Sequence, residues 1–139
     1  MFLQISISLS LSAVREVMIF TSVSSFAKPS IKYSLAFFEE NKIDLIHVDI
    51  MDGSFVPNFT LGTDFVKKLK ARTTIPLDIH LMIDNPESKL DWFEFGEDDY
   101  VSVHYESTKH LHKAINTINV TTATILVGSK VALALSLAR

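Results

Sequence analysis

Residues 44–50 read DLIHVDI, and residues 77–83 read LDIHLMI. Short, largely apolar runs of this kind are typical of β-strands that are covered on both faces. Between them, residues 63–71 place apolar side chains at helical spacing, and lysines follow late in the segment, where they favour a helix C-terminus. A strand, a helix and a second strand in this order predict a right-handed βαβ unit with parallel strands.

The alternation of strands and helices continues on both sides of this unit. Towards the C-terminus we expect a helix at 85–95, a strand at 100–105, a helix at 108–118 and a strand at 129–136. Towards the N-terminus we expect a strand at 3–11, a helix at 13–20 and a helical stretch within 30–41. The pattern predicts an α/β fold with a parallel sheet, and both an open doubly wound sheet and part of a TIM (β/α)8 barrel fit it.

Composition places the chain among folded proteins and excludes several classes. Hydrophobic residues make up 47% and charged residues 21% of the chain, which is not the composition of a disordered protein. The formal net charge is −3 and the charges are interspersed, so we expect no nucleic-acid partner and no anionic membrane surface. The absence of cysteine excludes disulfides and fits a reducing compartment, and we expect a cytoplasmic location.

Two histidines and one aspartate form the candidate site. His47 and Asp49 are two residues apart, so their side chains point to the same face of one strand. His80 lies on the next strand, and adjacent parallel strands are about 4.8 Å apart, so the three side chains can converge on one ion. Two imidazoles and a carboxylate suit Zn, Fe, Mn or Co and leave positions open for a substrate. The alternative is a pair of buried histidines satisfied by backbone or acidic partners.

Residues 46–62, IHVDIMDGSFVPNFTLG, resemble the signature of ribulose-phosphate 3-epimerases. The likeness continues in register at residues 76–83, 85–87, 102–106 and 110–112. It implies the first four to five βα units of a barrel of the ribulose-phosphate binding type, and a metal-dependent isomerase of the pentose phosphate pathway. Allulose-6-phosphate 3-epimerases of the same superfamily are also similar.

The resemblance implies a role for each residue of the candidate site. His47, Asp49 and His80 would hold one divalent metal ion, which would polarise the substrate ketone and neutralise the enediolate. Asp49 would also be the catalytic acid/base at C3, where D-ribulose 5-phosphate and D-xylulose 5-phosphate differ. The substrate-binding residues would be Ser30, Met51 and Met82, with the methionines forming an apolar wall. Each methionine could equally be part of the core.

Three further residues keep alternatives open. His104 would face the same cavity and is a candidate for direct contact with the site. Asp52 precedes Gly53 at a strand end, so turn capping and catalysis both fit it. Asp78 has the same parity as His80 and could support that ring as a hydrogen-bond acceptor, or be structural.

The chain departs from the family pattern in three places. Ser30, in a Pro-Ser-Ile motif that opens the first strand of the family, lies only 17 positions before His47, so 3–11 is the better first strand by pattern. Residues 120–127 look inserted before 128–136, where the likeness resumes. Strands six to eight would be missing after Arg139, and with them a second catalytic aspartate, a fourth metal ligand and the glycine-rich phosphate loops, which agrees with a total of 4 glycines.

The N-terminal segment, residues 1–26, is apolar and serine-rich. A secretory signal would carry its basic residues first, whereas Arg15 lies in the middle, and Glu16 interrupts any membrane span further. We therefore expect an atypical segment at 1–26 and the partial epimerase barrel at 27–139.

The leading hypothesis is an incomplete epimerase that binds a sugar phosphate and has little activity alone. An exposed barrel edge would allow a homo-oligomer to form. The alternatives are an inactive metal- or partner-binding fragment that pairs with another half-barrel, and an unrelated doubly wound binding domain.

Overall fold

The computed structural model describes residues 4–9, 15–20, 28–119 and 124–128, and the strands among them form a six-stranded sheet. The strands are β1 (Gln4–Leu9), β2 (Arg15–Phe20), β3 (Leu45–Met51), β4 (Leu77–Met82), β5 (Tyr100–His104) and β6 (Thr124–Gly128). The α-helices are α1 (Lys28–Glu40), α2 (Thr63–Lys70) and α3 (Leu111–Asn119). Short 3₁₀ turns lie at Pro86–Ser88, Leu90–Trp92 and Tyr105–Ser107.

Strand order identifies the architecture. Strands β2 to β6 are parallel, β1 is antiparallel to β2, and each strand lies beside its neighbour in sequence. A doubly wound sheet would reverse its order at a switch point and carry helices on both faces. Here the helices share one apolar cluster with one face of the sheet. That cluster includes Leu35, Phe38, Val66, Leu69, Ala114 and Ile118 from the helices and Val48, Ile79, Leu81 and Val103 from the strands. The described sheet is therefore part of a (β/α)8 barrel.

Alternation along the strands separates the core from the site. On β4, Leu77, Ile79 and Leu81 are fully buried beneath the helices, and each such side chain contributes about 1.5–3 kcal/mol by leaving water. Asp78 and His80, which lie between them, have the opposite parity and face the barrel interior. The same alternation on β3 and β5 gives one apolar face and one polar face.

The predicted strands β3, β4 and β5 and the predicted helices α2 and α3 are all present, and none of their ends is shifted by more than three residues. The strand expected at 3–11 is also present, as β1. Helix α1 covers the helical stretch expected within 30–41 and starts before it, so Ser30 lies in its first turn and not in a strand.

The helix expected at 13–20 is wrong, because these residues contain strand β2. Strand β2 pairs with β1 on one side and with β3 on the other, so both edges of its backbone are hydrogen-bonded within the sheet. Val17 and Ile19, which are β-branched, suit that conformation. The strand beside β3 is therefore β2, and the better-patterned 3–11 segment is displaced to the antiparallel edge.

The helix expected at 85–95 is also wrong, because two 3₁₀ turns replace it. Their backbone bonds span three residues: Lys89 N–H donates to the Pro86 carbonyl, and Phe93 N–H donates to the Leu90 carbonyl. Leu90 and Phe93 are both buried, and the three-residue spacing aligns them on one side of a 3₁₀ turn. Apolar spacing of three residues thus fits a 3₁₀ turn as well as an α-helix.

Residues 120–127 are not a simple insertion, because β6 begins within them and pairs in parallel with β5. The Thr124 N–H also donates to the Asp99 carbonyl, which anchors the start of β6 beside the start of β5. The strand expected at 129–136 lies outside the described residues. The proposed boundary between 26 and 27 stays a prediction, and β1 and β2, which precede it, belong to the same sheet as β3.

Candidate metal centre

Strands β3 and β4 bring the three predicted ligands together. The parallel register places Asp49 beside His80. The Oδ1 atom of Asp49 lies 3.1 Å from His47 Nε2 and 3.1 Å from His80 Nδ1. The expectation that the two strands are adjacent and parallel, with these side chains in one space, is confirmed.

The donor atoms of this cluster fit a divalent metal ion. One ligand atom from each of His47, Asp49 and His80 can be chosen so that all lie within 4.8 Å of one another. Tetrahedral ligands at about 2.0–2.2 Å from a zinc-like ion lie about 3.3–3.6 Å apart, which is close to the 3.1 Å between Asp49 Oδ1 and each histidine nitrogen. Two imidazole nitrogens and a carboxylate oxygen are also the donor types that Zn, Fe, Mn and Co accept.

Electrostatics holds the carboxylate of the cluster ionised. Burial opposes ionisation of Asp49, but hydrogen bonds from His47 and His80 outweigh it and hold the pKa of Asp49 well below its ordinary value. Burial likewise opposes the charge on His47, yet its hydrogen bonds to Asp49 and Asp78 raise the pKa of His47 to about 10. An imidazole ring between two carboxylates is thus the dominant electrostatic feature of the site.

Asp78 does not support His80, as its parity suggested, but His47. Its Oδ2 lies 2.6 Å from His47 Nδ1. The register explains the correction, because His47 is the direct cross-strand neighbour of Asp78. Parity along one strand gives the face of a side chain, whereas only the register between strands gives its partner.

The outer nitrogen of His80 has a different partner, His104. The two Nε2 atoms are 2.7 Å apart, and the rings stack with centroids 4.9 Å apart. His104 is 2% exposed and also contacts the ring of Phe55, with centroids 5.0 Å apart. His104 therefore lies behind a candidate ligand, and the alternating Ser102–His104 segment of β5 placed it on that face. Nothing in the sequence pattern indicated the contact with Phe55.

The expected substrate-binding residues occupy different places. Met51 and Met82 are cross-strand neighbours at the carboxyl ends of β3 and β4, one step beyond Asp49 and His80. Met82 is buried and Met51 is partly exposed. The side chain of Ser30 lies outside the described part of the chain, so the role of Ser30 stays a prediction.

Asp52 caps a turn, as one of its two alternatives predicted, and it also cross-links two loops. Its Oδ1 accepts the N–H groups of Ser54 and Phe55, and its Oδ2 accepts the Asp84 N–H and Lys89 Nζ. These bonds join the loop after β3 to the loop after β4. Gly53, with φ +73°, completes the turn, and the Phe59 ring lies against it where a larger residue would carry a Cβ.

Comparison with known proteins settles the family. The model of the ribulose-phosphate 3 epimerase family matches residues 18–138. This chain belongs to that family. The family match includes β3, β4 and β5, which carry the cluster.

The curated relatives that the chain matches are also named as ribulose-phosphate 3-epimerases. The chain is 44% identical over 80 residues to ribulose-phosphate 3-epimerase of Bacillus subtilis, a stretch covering 58% of this chain and 37% of that protein. It is 52% identical over 77 residues to the chloroplastic ribulose-5-phosphate-3-epimerase of Arabidopsis thaliana, covering 54% of this chain and 27% of that protein. It is 43% identical over 79 residues to ribulose-phosphate 3-epimerase of Synechocystis sp., covering 55% of this chain and 34% of that protein. The chain thus spans about a third of the length of the curated relatives it matches.

None of the helices in the described residues has the length and apolar character needed to cross a bilayer.

Proposed function

We propose that this chain supplies metal ligands and one acid/base of a ribulose-phosphate 3-epimerase, which interconverts D-ribulose 5-phosphate and D-xylulose 5-phosphate in the pentose phosphate pathway. The observation that carries the proposal is the position of Asp49, whose Oδ1 lies 3.1 Å from a nitrogen of each flanking histidine. Membership of the family supports the same reaction.

His47, Asp49 and His80 would hold one divalent ion of the Zn, Fe, Mn or Co class. When bound, the ion would act as a Lewis acid towards the substrate ketone and acidify the neighbouring C3–H bond. The three ligands come from two adjacent strands, so the sheet itself fixes their separation. A site built on rigid strands holds its ligands more precisely than one built on loops.

Asp49 is the residue that would take the proton from C3. Its pKa lies well below the ordinary value, so it is ionised and able to accept a proton at neutral pH. Both hydrogen bonds from the histidines end on Oδ1. These contacts orient the carboxylate, and Oδ2 would be the oxygen that faces the substrate. A carboxylate of low pKa is a weak base, which is why the reaction also needs an acidified C3–H bond.

The apolar wall next to Asp49 would be formed by Met51 and Met82. These side chains lie side by side at the carboxyl end of the site, where a substrate would enter. Apolar, polarisable side chains exclude water from a charged intermediate without competing for its hydrogen bonds. Ser30 would contact the substrate from the segment before β3.

Inversion at C3 also requires a second acid on the opposite face of the substrate. On strands β3 to β5 the other interior-facing carboxylate is Asp78, which is bonded to His47 on the same wall as Asp49. Asp49 alone can remove the C3 proton and return a proton to the same face. We therefore expect hydrogen exchange at C3 to be much faster than formation of xylulose 5-phosphate.

The test is hydrogen exchange in heavy water with the 139-residue chain. The chain is incubated with ribulose 5-phosphate and Mn²⁺, and NMR follows loss of the C3 proton signal and growth of xylulose 5-phosphate signals. We expect exchange that depends on the ion, falls at least about 100-fold in Asp49→Asn, and is strongly reduced in His80→Ala. His112→Ala, which removes an exposed histidine of α3, is the matched control and should behave as the wild type.

The two site variants test the base and the metal site separately. Exchange that survives Asp49→Asn would show that another base acts, and the assignment of Asp49 would be wrong. Calorimetry on the same proteins measures ion binding directly; equal Mn²⁺ affinity in His80→Ala and the wild type would place the ion elsewhere. Expected oligomerisation through the sheet edge and the expected cytoplasmic location stay predictions.

A further inference from the structure

The carboxylate of Asp78 has one hydrogen-bond partner within the described part of the chain. That partner is His47, whose Nδ1 lies 2.6 Å from Asp78 Oδ2. The other oxygen, Oδ1, is buried and makes no hydrogen bond there. Aspartates that stabilise the backbone look different in this protein, since Asp52 and Asp99 each accept at least two backbone N–H groups. Asp78 therefore acts on an imidazole ring and on little else.

The chemistry of this contact fixes which nitrogen of His47 keeps its proton when the other nitrogen binds a metal. A carboxylate oxygen accepts hydrogen bonds, so the ring nitrogen that faces Asp78 is the donor of this bond. That nitrogen is Nδ1, which leaves Nε2 as the atom on the Asp49 side, available as a metal ligand. His80 lacks such a determinant, because the outer partner of its ring is another imidazole, which can donate or accept.

We propose that Asp78 is a positioning residue for the metal centre, which holds the Nδ1–H of His47 so that Nε2 faces the ion. The inference rests on the proposed function, because it concerns the same metal site. A carboxylate behind a ligand histidine fixes the orientation of the ring and increases the basicity of the nitrogen that binds the metal. The partly buried pair, with side chains 13% and 12% exposed and 2.6 Å between Asp78 Oδ2 and His47 Nδ1, is suited to both effects.

The test combines Zn²⁺ affinity with NMR of the histidine rings. We expect Asp78→Ala to weaken Zn²⁺ binding about 10- to 100-fold, as removal of such outer partners does. Asp78→Asn should weaken it less, because its amide oxygen can still accept the Nδ1–H. Asp91→Asn, which removes one negative charge at an exposed position, is the control for net charge and should leave affinity unchanged.

The ring nitrogens give a readout that a purely structural role would not move. In ¹⁵N-labelled wild-type protein with Zn²⁺, His47 should show a protonated Nδ1 and a metal-bound Nε2. Asp78→Ala should lose this defined pattern at His47, whereas the pattern of His80 should persist. Affinity within twofold of the wild type in Asp78→Ala, together with an unchanged His47 pattern, would overturn the proposal.

Failure of the proposed metal site can be distinguished from failure of the role proposed for Asp78. Wild-type protein that binds no Zn²⁺ would refute the metal site itself. The Nδ1–H signal of His47 in ion-free protein would then still test Asp78: a hydrogen-bonded proton that persists in Asp78→Asn but is lost in Asp78→Ala supports anchoring, and its absence from the wild type refutes it. Circular dichroism shows whether each variant is folded, and Asp78→Asn serves if Asp78→Ala is not.

Discussion

Two buried aspartates, at opposite ends of the sheet, differ in the groups that donate hydrogen bonds to them. Asp49 is 7% exposed and lies near the carboxyl ends of the strands, and Asp99 is 3% exposed and lies directly before β5. Asp99 accepts the N–H groups of Leu77 and Gly96 at 3.0 and 2.6 Å, and also Lys70 Nζ. Asp49 accepts from two imidazole nitrogens.

The difference lies in what the donors can do. Backbone N–H groups do not titrate and bind no metal ion, so the bonds from Leu77 and Gly96 to Asp99 persist and tie the starts of β4 and β5 together. Imidazole nitrogens can exchange a proton for a metal ion, so the bonds of Asp49 can be replaced. In barrels of this type the carboxyl ends of the strands carry the chemistry and the amino ends carry stability.

The strongest test of the comparison is Asp99→Ala. Removing this carboxylate leaves two backbone N–H groups without their acceptor, one of them the buried N–H of Leu77. We expect the free energy of unfolding to fall by about 3 kcal/mol, measured by urea denaturation. Ion affinity of the protein that remains folded should not change.

Asp98→Ala is the matched control, because Asp98 is the exposed neighbour of Asp99. It should change the free energy of unfolding by less than about 0.5 kcal/mol. If Asp98→Ala and Asp99→Ala had equal effects, the buried acceptor would not be what stabilises this end of the sheet.

The second test is Asp49→Asn, examined through ion-dependent stability. A ligand that binds only the folded state raises the free energy of unfolding by about 2.7 kcal/mol at a concentration 100 times its Kd. We expect Mn²⁺ to stabilise the wild type and Asp98→Ala in this way and to have almost no effect on Asp49→Asn. Equal stabilisation of Asp49→Asn would erase the contrast between the two aspartates.

The same contrast shows what the sequence could predict. The convergence of His47, Asp49 and His80 followed from two-residue spacing and adjacent strands, which depend only on local geometry. The partner of Asp78 did not, because parity does not determine the register between strands. The role of Asp99 was missed for a similar reason. Its carboxylate accepts the N–H of Leu77, 22 positions away, and that of Gly96, 3 positions away, and no local sequence pattern marks these bonds.

The elements that were mispredicted have a related cause. Residues 15–20 and 124–128 became strands because neighbouring strands pair with them, and pairing across the sheet overrides a weak local preference. The turns after β4 depend on buried residues three positions apart, a spacing that α- and 3₁₀-helices share. Long-range pairing therefore accounts for most of what local patterns could not determine.

The smallest expected effect belongs to Asp52, which lies beside the site but resembles Asp99 in its partners. Partial burial opposes its ionisation, but Lys89 and the N–H groups of Asp84, Ser54 and Phe55 outweigh it and hold the pKa of Asp52 well below its ordinary value. A folded-state pKa below the unfolded value of about 3.9 stabilises the fold above that pH, and the contribution is lost as the pH falls through the folded-state pKa. Asp52→Asn should therefore lower the free energy of unfolding by about 1 kcal/mol at pH 7, a modest value because the pair with Lys89 is partly exposed to solvent. Urea denaturation of both proteins from pH 7 down to pH 2 should show the difference shrinking below about pH 4. A difference that stays constant over this range would mean that Asp52 acts through the shape of its turn and not through its charge.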